Sequence, residues 1–356
     1  PAIYNYVNIP SAFINTPADP SLRWESVGEL NLGVDFRMKN SRFSGSVEWY
    51  RKFSNDLIYN ALLDEVTGLP AVSKNSASLV TRGFQVDVNS VNLDGMFRWT
   101  SNLAFNYTAT KIKDYKLEDR GRPISGFLES SGTSILLIKG RDPYGIYSLP
   151  FAGLDPENGD PRGYLDGKIS KDYLGLLQQS VDTADMIYHG SGLPRYYGFL
   201  TNTFSYKRFS LAVNILYEFD FYFKKSTLNY FSLFGSGITH PDFAKRWQKS
   251  GDENLTTVPS MVYPLFSPNR DQFYAGSSVN VLKGDNIRLQ YIRLNYDVSK
   301  PVLGLKFIQN LQLSLIASEL GFIWRANKEK LDPDFGSSLN SYPVPRSFAL
   351  GLNLTF

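Results

Sequence analysis

The sequence predicts an all-β protein: a transmembrane, antiparallel up-and-down β-barrel, represented here by about nine strands. Three observations predict this fold class. Apolar and polar side chains alternate along successive stretches of the chain, which is the pattern of half-buried strands. The connections between these stretches alternate between short and long. Aromatic residues make up 15% of the chain although hydrophobic residues as a whole make up only 42%.

This composition fits a barrel, because a barrel has a polar lumen and polar loops but an apolar lipid face with aromatic girdles. Carbohydrate-binding β proteins have a similar composition, so a soluble alternative stays open. The 37 basic and 34 acidic residues give a net charge of +3, which is too balanced to indicate a nucleic-acid surface. The chain has no cysteine, and no apolar run approaches the roughly twenty residues of a membrane helix, so any membrane crossing is expected to use strands.

The alternating stretches come largely in hairpins. Tight turns at Asn40-Ser41, Asp94-Gly95 and Lys207-Arg208 join three pairs of stretches. In a seventh stretch the apolar phase slips at Tyr291-Ile292, which predicts a β-bulge. The predicted strands cover residues 29–38, 43–50, 84–89, 97–108, 196–206, 209–221, 287–296, 307–318 and 348–356.

The final stretch gives a clear indication of a lipid-facing strand. Its larger face is wholly apolar and consists of Phe348, Leu350, Leu352, Leu354 and Phe356. A strand of this length nearly reaches the about nine to eleven residues that a tilted strand needs to cross a bilayer. The last strand of a soluble sandwich also alternates, so this stretch alone leaves two stacked sheets as an alternative.

The connections are sorted by length. Short turns follow the first, third, fifth and seventh strands, the last of them near residues 299–301. Long connections follow the second, fourth, sixth and eighth strands, including an expected loop at 60–79 and long extracellular loops at about 111–194 and 223–284. Outer-membrane barrels have their short turns in the periplasm, where the carboxy terminus is therefore expected. An odd number of antiparallel strands cannot close, so residues 1–356 are expected to form the carboxy-terminal part of one barrel domain whose other strands lie upstream.

Several motifs resemble the SusC/RagA family of TonB-linked outer-membrane proteins and occur in that family's order. They are Leu22, Trp24-Glu25, Asn31, Gly33, Asp35, Tyr50, Asp56-Leu57-Ile58, Gly83-Phe84 and the stretches 283–296 and 342–356. The chain departs from the family at Glu319-Leu320, where the family usually has Asn-Leu after the penultimate strand, so a rearranged loop is expected there. The family's Asp/Asn-Gly-Asp-Gly loop is degraded at 155–172, which leaves a bound ion and a plain turn-rich loop as alternatives.

The resemblance implies a barrel of about 22 strands with an amino-terminal plug domain that is not in this chain. It also implies a SusD-like lipoprotein lid that covers the barrel from outside, energy supplied by TonB through the absent amino-terminal region, and import of glycans or peptides across the bacterial outer membrane. A siderophore-type TonB-dependent receptor, a passive porin and, from another class, a secreted glycan-binding or glycan-cleaving β protein stay open.

The residues indicate binding rather than catalysis. The only histidines, His189 and His240, lie in different loops without metal-ligand spacing, and no nucleophile elbow or phosphate-binding loop is present, so we expect no enzyme activity, metal or cofactor. Trp49, Trp99, Tyr107 and Tyr217, near strand ends on apolar faces, are the expected membrane-interface anchors.

Aromatic rings beside polar groups in the long loops are the candidates for substrate contact, because such rings bind sugars and peptides. The same rings can instead form the outer aromatic girdle or pack loop against loop. The candidates are Tyr188, His189, Tyr196, Tyr197, Tyr230, Phe231, Phe273 and Tyr274.

Overall fold

The structure, a computed structural model, describes residues 2–4, 9–11, 17, 19–62, 71–116, 124–128, 135–179, 186–263, 267–298, 310–337 and 342–355. Its strands are β1 (Ala2–Tyr4), β2 (Ile9–Ser11), β3 (Ser26–Arg37), β4 (Phe43–Leu62), β5 (Ala71–Leu93), β6 (Phe97–Tyr115), β7 (Gly145–Ser148), β8 (Gly163–Leu165), β9 (Lys168–Ser170), β10 (Ile187–Ser191), β11 (Tyr196–Tyr206), β12 (Phe209–Phe219), β13 (Tyr222–Lys224), β14 (Val281–Lys283), β15 (Asn286–Val298), β16 (Asn310–Arg325) and β17 (Ser347–Thr355). Its α-helices are α1 (Ser125–Leu128), α2 (Tyr173–Gln178), α3 (Tyr230–Ser236) and α4 (Pro268–Ala275). Short 3₁₀ helices cover Lys39–Ser41, Pro241–Lys245, Asp252–Asn254 and Ser278–Asn280. In these ranges no helix has the length and apolar character needed to cross a bilayer.

Nine strands form one antiparallel sheet, in the order β17-β16-β15-β12-β11-β6-β5-β4-β3. The long strands pair in the order in which they follow one another along the chain, as in an up-and-down barrel wall. This sheet confirms the predicted all-β class and strand number. The short strands form separate two-stranded pairs, namely β1-β2, β7-β10, β8-β9 and β13-β14.

The sheet has one apolar face and one polar face, because the register brings side chains of the same kind into line. On the polar face, for example, the hydroxyls of Thr81 and Thr110 are 2.9 Å apart. The apolar face remains exposed rather than packed against a second sheet, as Leu32 (60% exposed) and Leu350 (81%) show. The soluble sandwich is therefore wrong. One apolar row contains Val34, Val47, Val86 and Phe105.

Aromatic rings form two rows on the apolar face. The row near the short turns contains Phe97, Trp99, Phe204, Phe209 and Tyr296, with centroids of contacting rings 4.7 to 6.2 Å apart. The row near the long connections contains Phe84, Phe105, Tyr107, Tyr196, Tyr217, Phe219 and Trp324. On β6, residues 97 and 107 are about 34 Å apart along the strand. For a strand tilted by about 40° from the barrel axis, this distance corresponds to about 26 Å along the axis. This separation matches the apolar band of an outer-membrane barrel.

Two tyrosines lie across glycines of the neighbouring strand. The ring of Tyr50 covers Gly83, and its hydroxyl lies 2.9 Å from Oγ1 of Thr108, one strand further on. On the other face, Tyr217 crosses Gly198 in the same way. Glycine is required at both positions: a Cβ at residue 83 would lie 1.9 Å from Cζ of Tyr50, and one at residue 198 would lie 1.9 Å from the carbonyl oxygen of Ala104 and 2.6 Å from the hydroxyl of Tyr217.

Two features of the strands differ from the prediction, and a third is confirmed. The loop expected at 60–79 is wrong, since β4 and β5 stay paired as far as Leu62 and Ala71. Beyond the membrane both faces of a strand meet water, so these residues do not alternate. The predicted bulge is confirmed, at Gln290. Glu319 does not lie in a loop after the strand: it lies in a bulge of β16 and accepts a hydrogen bond from Gln290 at 2.6 Å.

The turn predicted at 299–301 and residue Phe356 lie outside the described residues. The rest of the final stretch is the edge strand β17, paired with β16. Its apolar side chains Phe348, Leu350, Leu352 and Leu354 are 74%, 81%, 62% and 37% exposed.

Candidate functional site

The long connections fold together at one end of the sheet. We call this layer the loop cap. It consists of residues 124–128, 135–179 and 186–195 of the connection after β6, residues 220–263 and 267–285 of the connection after β12, and residues 326–337 of the connection after β16. We refer to these as the first, second and third long connections. Its main hydrophobic cluster joins the first long connection to the second, because Phe273 of α4 is fully buried and packs in one cluster with Leu176 of α2. Burial of such a side chain contributes about 1.5–3 kcal/mol. The loop cap therefore has a hydrophobic core of its own.

A buried ion pair links the same two connections. Arg270 of α4 is 5% exposed, and its Nε donates to Oδ1 of Asp160 at 2.8 Å. The guanidinium also donates to the carbonyl oxygen of Ser260 at 3.0 Å and lies 5.7 Å from the ring centroid of Tyr230. Removing one partner of a buried pair typically costs about 3–5 kcal/mol. This pair therefore holds the two connections in one relative position.

The third long connection is joined to the second. Lys225 is buried and donates to Oε1 of Glu329 at 2.8 Å. The backbone N–H of Ser226 donates to the carbonyl oxygen of Gly336 at 2.8 Å. Lys224 in turn donates to the carbonyl oxygen of Leu128 in the first connection. The three connections therefore form one interlocked unit.

A cavity of about 340 Å³ lies where the polar face of the sheet meets the loop cap. Tyr197 of β11 and Glu218 of β12 are directly paired across the sheet and line it from the strand side. Because the polar face is the lumen face of a barrel, the cavity lies at the mouth of the lumen. The remaining lining residues are Thr108 and Thr110 of β6, and Asp142, Tyr144, Ser191, Leu193 and Pro194 of the first connection.

The carboxylates of the cavity are partnered. Asp142 is 5% exposed and accepts from Nη2 of Arg195 at 3.5 Å, and Nη1 of Arg195 lies 3.4 Å from Oδ2 of Asp220. Glu218 accepts from Nδ2 of Asn286 at 3.1 Å. The cavity therefore offers hydroxyl groups, phenol rings and carboxylates held in place by donors, a lining suited to a polar ligand rich in hydroxyl or amide groups.

Of the eight predicted substrate-contact residues, three are buried inside the loop cap and a fourth lies on the apolar face of the sheet. Tyr230, Phe273 and Tyr274 are 2%, 0% and 2% exposed and pack loop against loop. Burial raises the pKa of Tyr230 to about 12. Tyr196 lies on the apolar face with its ring centroid 4.9 Å from that of Tyr107, so it belongs to the row of rings near the long connections.

The other four have different surroundings. Tyr197 lines the cavity. Tyr188 is half-buried, with its ring centroid 5.2 Å from that of another tyrosine. Nε2 of His189 lies 2.7 Å from Oγ of Ser148, and burial, reinforced by a nearby lysine, lowers the pKa of its imidazole. Phe231 is 49% exposed on the surface of the loop cap. Tyr197 is thus the candidate that the structure brings into a cavity.

The four predicted anchors lie on the apolar face. Tyr107 and Tyr217 lie in the row of rings near the long connections, and Trp49 pairs with a phenylalanine of that row. Trp99 lies in the row near the short turns, where its Nε1 donates to Oδ1 of Asn202 at 2.9 Å. Their role as interface anchors stays a prediction, supported by this placement.

Sequence reasoning missed Asp142, Tyr144 and Glu218. Glu218 carried a signal, since it lies on the polar phase of β12 at the end next to a long connection. Asp142 and Tyr144 carried none, because the first long connection has no periodicity.

The degraded loop at 155–172 contains a lysine contact. Asp155 accepts from Nζ of Lys171 at 2.6 Å, and this hydrogen bond lowers the pKa of the Asp155 carboxyl. In the part of the chain that the structure describes, no three His, Cys, Asp or Glu side chains are grouped so that they could hold a metal ion.

No protein-family model matches the sequence. A TonB-dependent receptor of Formosa agariphila is 26% identical over 382 residues, which cover 96% of this chain and 36% of the receptor. The TonB-dependent receptor SusC of Bacteroides thetaiotaomicron is 23% identical over 374 residues, which cover 99% of this chain and 34% of SusC. The chain thus spans about a third of the length of these curated relatives.

Among solved structures, the RagAB peptide transporter matches with a TM-score of 0.72 at 20% identity, covering 100% of this chain and 38% of the matched chain. A structure of the RagAB peptide importer in the closed-closed state matches with a TM-score of 0.71 at 21% identity. The chain therefore has the fold of a portion of a transporter barrel of this kind. The sequence relatives agree with the predicted resemblance to the SusC/RagA family: the chain is similar to TonB-dependent receptors, SusC among them, and these relatives are receptors by name rather than enzymes.

Proposed function

We propose that the protein imports glycans or peptides across the outer membrane, with the long connections outside the cell and β17 running toward the periplasm. The observation that most supports this proposal is the polar, tyrosine-lined cavity of about 340 Å³ at the mouth of the lumen, beneath the interlocked loop cap. A fixed layer of loops beside the lumen favours gated, energy-dependent transport over free diffusion. In this proposal the chain transports its ligand unchanged and performs no catalysis.

The lining supports a substrate rich in hydroxyl or amide groups. Thr108 and Thr110 present hydroxyls, and Tyr144 and Tyr197 present rings that stack on sugar or peptide planes. Glu218 accepts hydrogen bonds from hydroxyl and amide N–H groups. Both glycans and peptides meet these requirements. The similar RagAB protein is described as a peptide transporter, which supports the peptide class.

An exposed apolar surface of the loop cap supports a lid partner. We use the name lid surface for the exposed apolar side chains of the second long connection, which are Phe231 (49% exposed), Ile238 (46%), Leu255 (85%), Met261 (43%) and Tyr263 (70%). Exposed apolar patches mark interaction sites, and aromatic residues are enriched in such interfaces. A SusD-like lipoprotein is the partner we assign to this surface. TonB would act through a region outside this chain.

Uptake by cells that carry the full-length protein tests the proposal. The double variant Tyr197→Ala, Glu218→Gln is expected to lower uptake of the glycan or peptide at least about tenfold, as each 1.4 kcal/mol of lost binding is about tenfold in affinity. Tyr164→Ala is the matched control, because Tyr164 is 40% exposed and does not line the cavity. Equal uptake by both variants would contradict the cavity's role.

Deleting TonB separates the alternatives. Uptake stops if the protein is a TonB-linked importer and persists if it is a passive porin. Uptake confined to ferric siderophores would overturn the proposed substrate class. The folding control compares unheated and heated samples on a denaturing gel, since a folded barrel migrates differently before and after heating. Copurification of a lipoprotein that is lost in a Leu255→Asp, Tyr263→Asp variant would support the lid surface, and its retention would contradict it.

A further inference from the structure

A groove of about 740 Å³ lies on the apolar face of β4, β5 and β6, away from the lumen. Its lower wall contains Trp49, Phe84 and Tyr107, at the level of the row of rings near the long connections. Further toward the loop cap, four cations line it. We call them the basic cluster: Arg51, Arg82, Lys111 and Lys113.

The register fixes the height of this cluster above the rings. Trp49 pairs with Phe84, and two residues further along the same strands Arg51 pairs with Arg82. Lys111 lies another two residues on, paired with Val80. Each step of two residues advances about 6.8 Å along a strand, or about 5 Å along the barrel axis. Arg51, Arg82 and Lys111 therefore lie about 5–10 Å beyond the aromatic row, and Lys113 follows two residues further along β6, in the region where the headgroups of the leaflet lie.

Within the described residues, no carboxylate pairs with the positive charges of the cluster. The carboxylate next to the cluster in sequence, Asp114, is paired with Lys139 at 3.1 Å. The guanidinium of Arg51 lies 4.5 Å from the ring centroid of Phe53, and its Nε is buried without a hydrogen-bond partner. Four like charges repel one another, so an anion between them lowers the energy.

We propose that this groove binds a phosphate-bearing lipid of the leaflet next to the long connections. Its phosphates contact the basic cluster, and its acyl chains lie against Trp49 and Phe84. A soluble anion would pair with the cations but leave the aromatic lower wall of the groove uncovered. A phosphate-bearing lipid contacts both, because its phosphates pair with the cations and its acyl chains cover the rings. Arginine suits phosphate particularly, because its planar fork donates two parallel hydrogen bonds. This site is on the lipid side of the sheet and does not depend on what the lumen transports.

Native mass spectrometry of the full-length protein in neutral detergent tests the site, with bisphosphorylated lipid A and its dephosphorylated form as probes. Wild-type protein is expected to bind the phosphorylated probe at least about tenfold more tightly. The variant Arg51→Gln, Arg82→Gln, Lys111→Gln, Lys113→Gln is expected to lose that preference. Lys52→Gln is the matched control, because Lys52 follows Arg51 on β4 but points to the polar face and pairs with Glu29 at 3.3 Å.

Three results would overturn the proposal. Equal wild-type affinity for the two lipid probes would show that phosphate is not recognised, and this comparison needs no variant to fold. Displacement of the lipid by an equal concentration of inorganic phosphate would identify a site for a free anion. A loss in the Lys52→Gln control as large as in the fourfold variant would indicate an unspecific charge effect. The gel-mobility change on heating shows that each variant is folded.

Discussion

The buried pair between Arg270 and Asp160 should control the opening of the loop cap without affecting the barrel wall. Arg270→Gln keeps a polar side chain that can donate hydrogen bonds, but it removes the positive charge and leaves the Asp160 carboxylate without its cation. Such a loss costs about 3–5 kcal/mol for a buried pair. Because the Asp160 side chain is still 20% exposed, we expect the lower end, about 3 kcal/mol. That corresponds to an about 100-fold larger equilibrium constant for local opening.

Amide hydrogen exchange of the full-length protein in micelles measures this effect. Exchange of α4 and of residues 155–160 should accelerate about 100-fold, while exchange in β11 and β12 stays unchanged. Lys171→Gln is the control, since it breaks an ion pair of 2.6 Å in the same connection whose lysine side chain is 40% exposed. An exposed pair contributes at most about 1 kcal/mol. If Arg270→Gln accelerates α4 no more than Lys171→Gln does, the reasoning about burial is wrong.

Three further predictions concern other parts of the molecule. Gly83→Ala should destabilise the barrel by about 1–3 kcal/mol, because the new methyl group overlaps the ring of Tyr50, and should lower the temperature of the gel-mobility change. Acidification should loosen the loop cap around His189: burial lowers the pKa of this imidazole, so its stabilising contribution is present above the unfolded value of about 6.5 and is lost as the pH falls through the folded value. Calcium should leave hydrogen exchange at 155–172 unchanged, because Asp155 already accepts from a lysine ammonium.

Each of these predictions has its own control. Gly351→Ala should be nearly neutral, since its nearest neighbour would be Cβ of Ser314 at 3.5 Å, and an equal loss at both glycines would contradict the overlap argument. His189→Gln should reduce the acid-induced increase in exchange; an unchanged increase would assign it to other groups. Protection of 155–172 by calcium would show that the cation displaces the lysine.

The strands could be predicted from sequence because each one carries its own signal. In β12, alternation of Leu211, Val213 and Ile215 with the smaller or polar Ser210, Ala212 and Asn214 fixes both the strand and its lipid side. The extension of β4 and β5 could not be predicted, because strands beyond the membrane have water on both faces and lose alternation. Of the aromatic loop candidates, Tyr197 lines the cavity whereas Phe273 is fully buried, and nothing in the local sequence distinguishes the two.

By itself, the sequence determined that the chain is a membrane-facing β-sheet with its long connections on one side, because a period of two residues is a local property. The tertiary structure alone decided how those connections pack and which side chains surround the cavity. Arg270 meets Asp160 across 110 positions of chain, and Arg195 meets Asp142 across 53. Contacts of this kind depend on shape and charge complementarity between distant segments, for which a single sequence has no repeating signal.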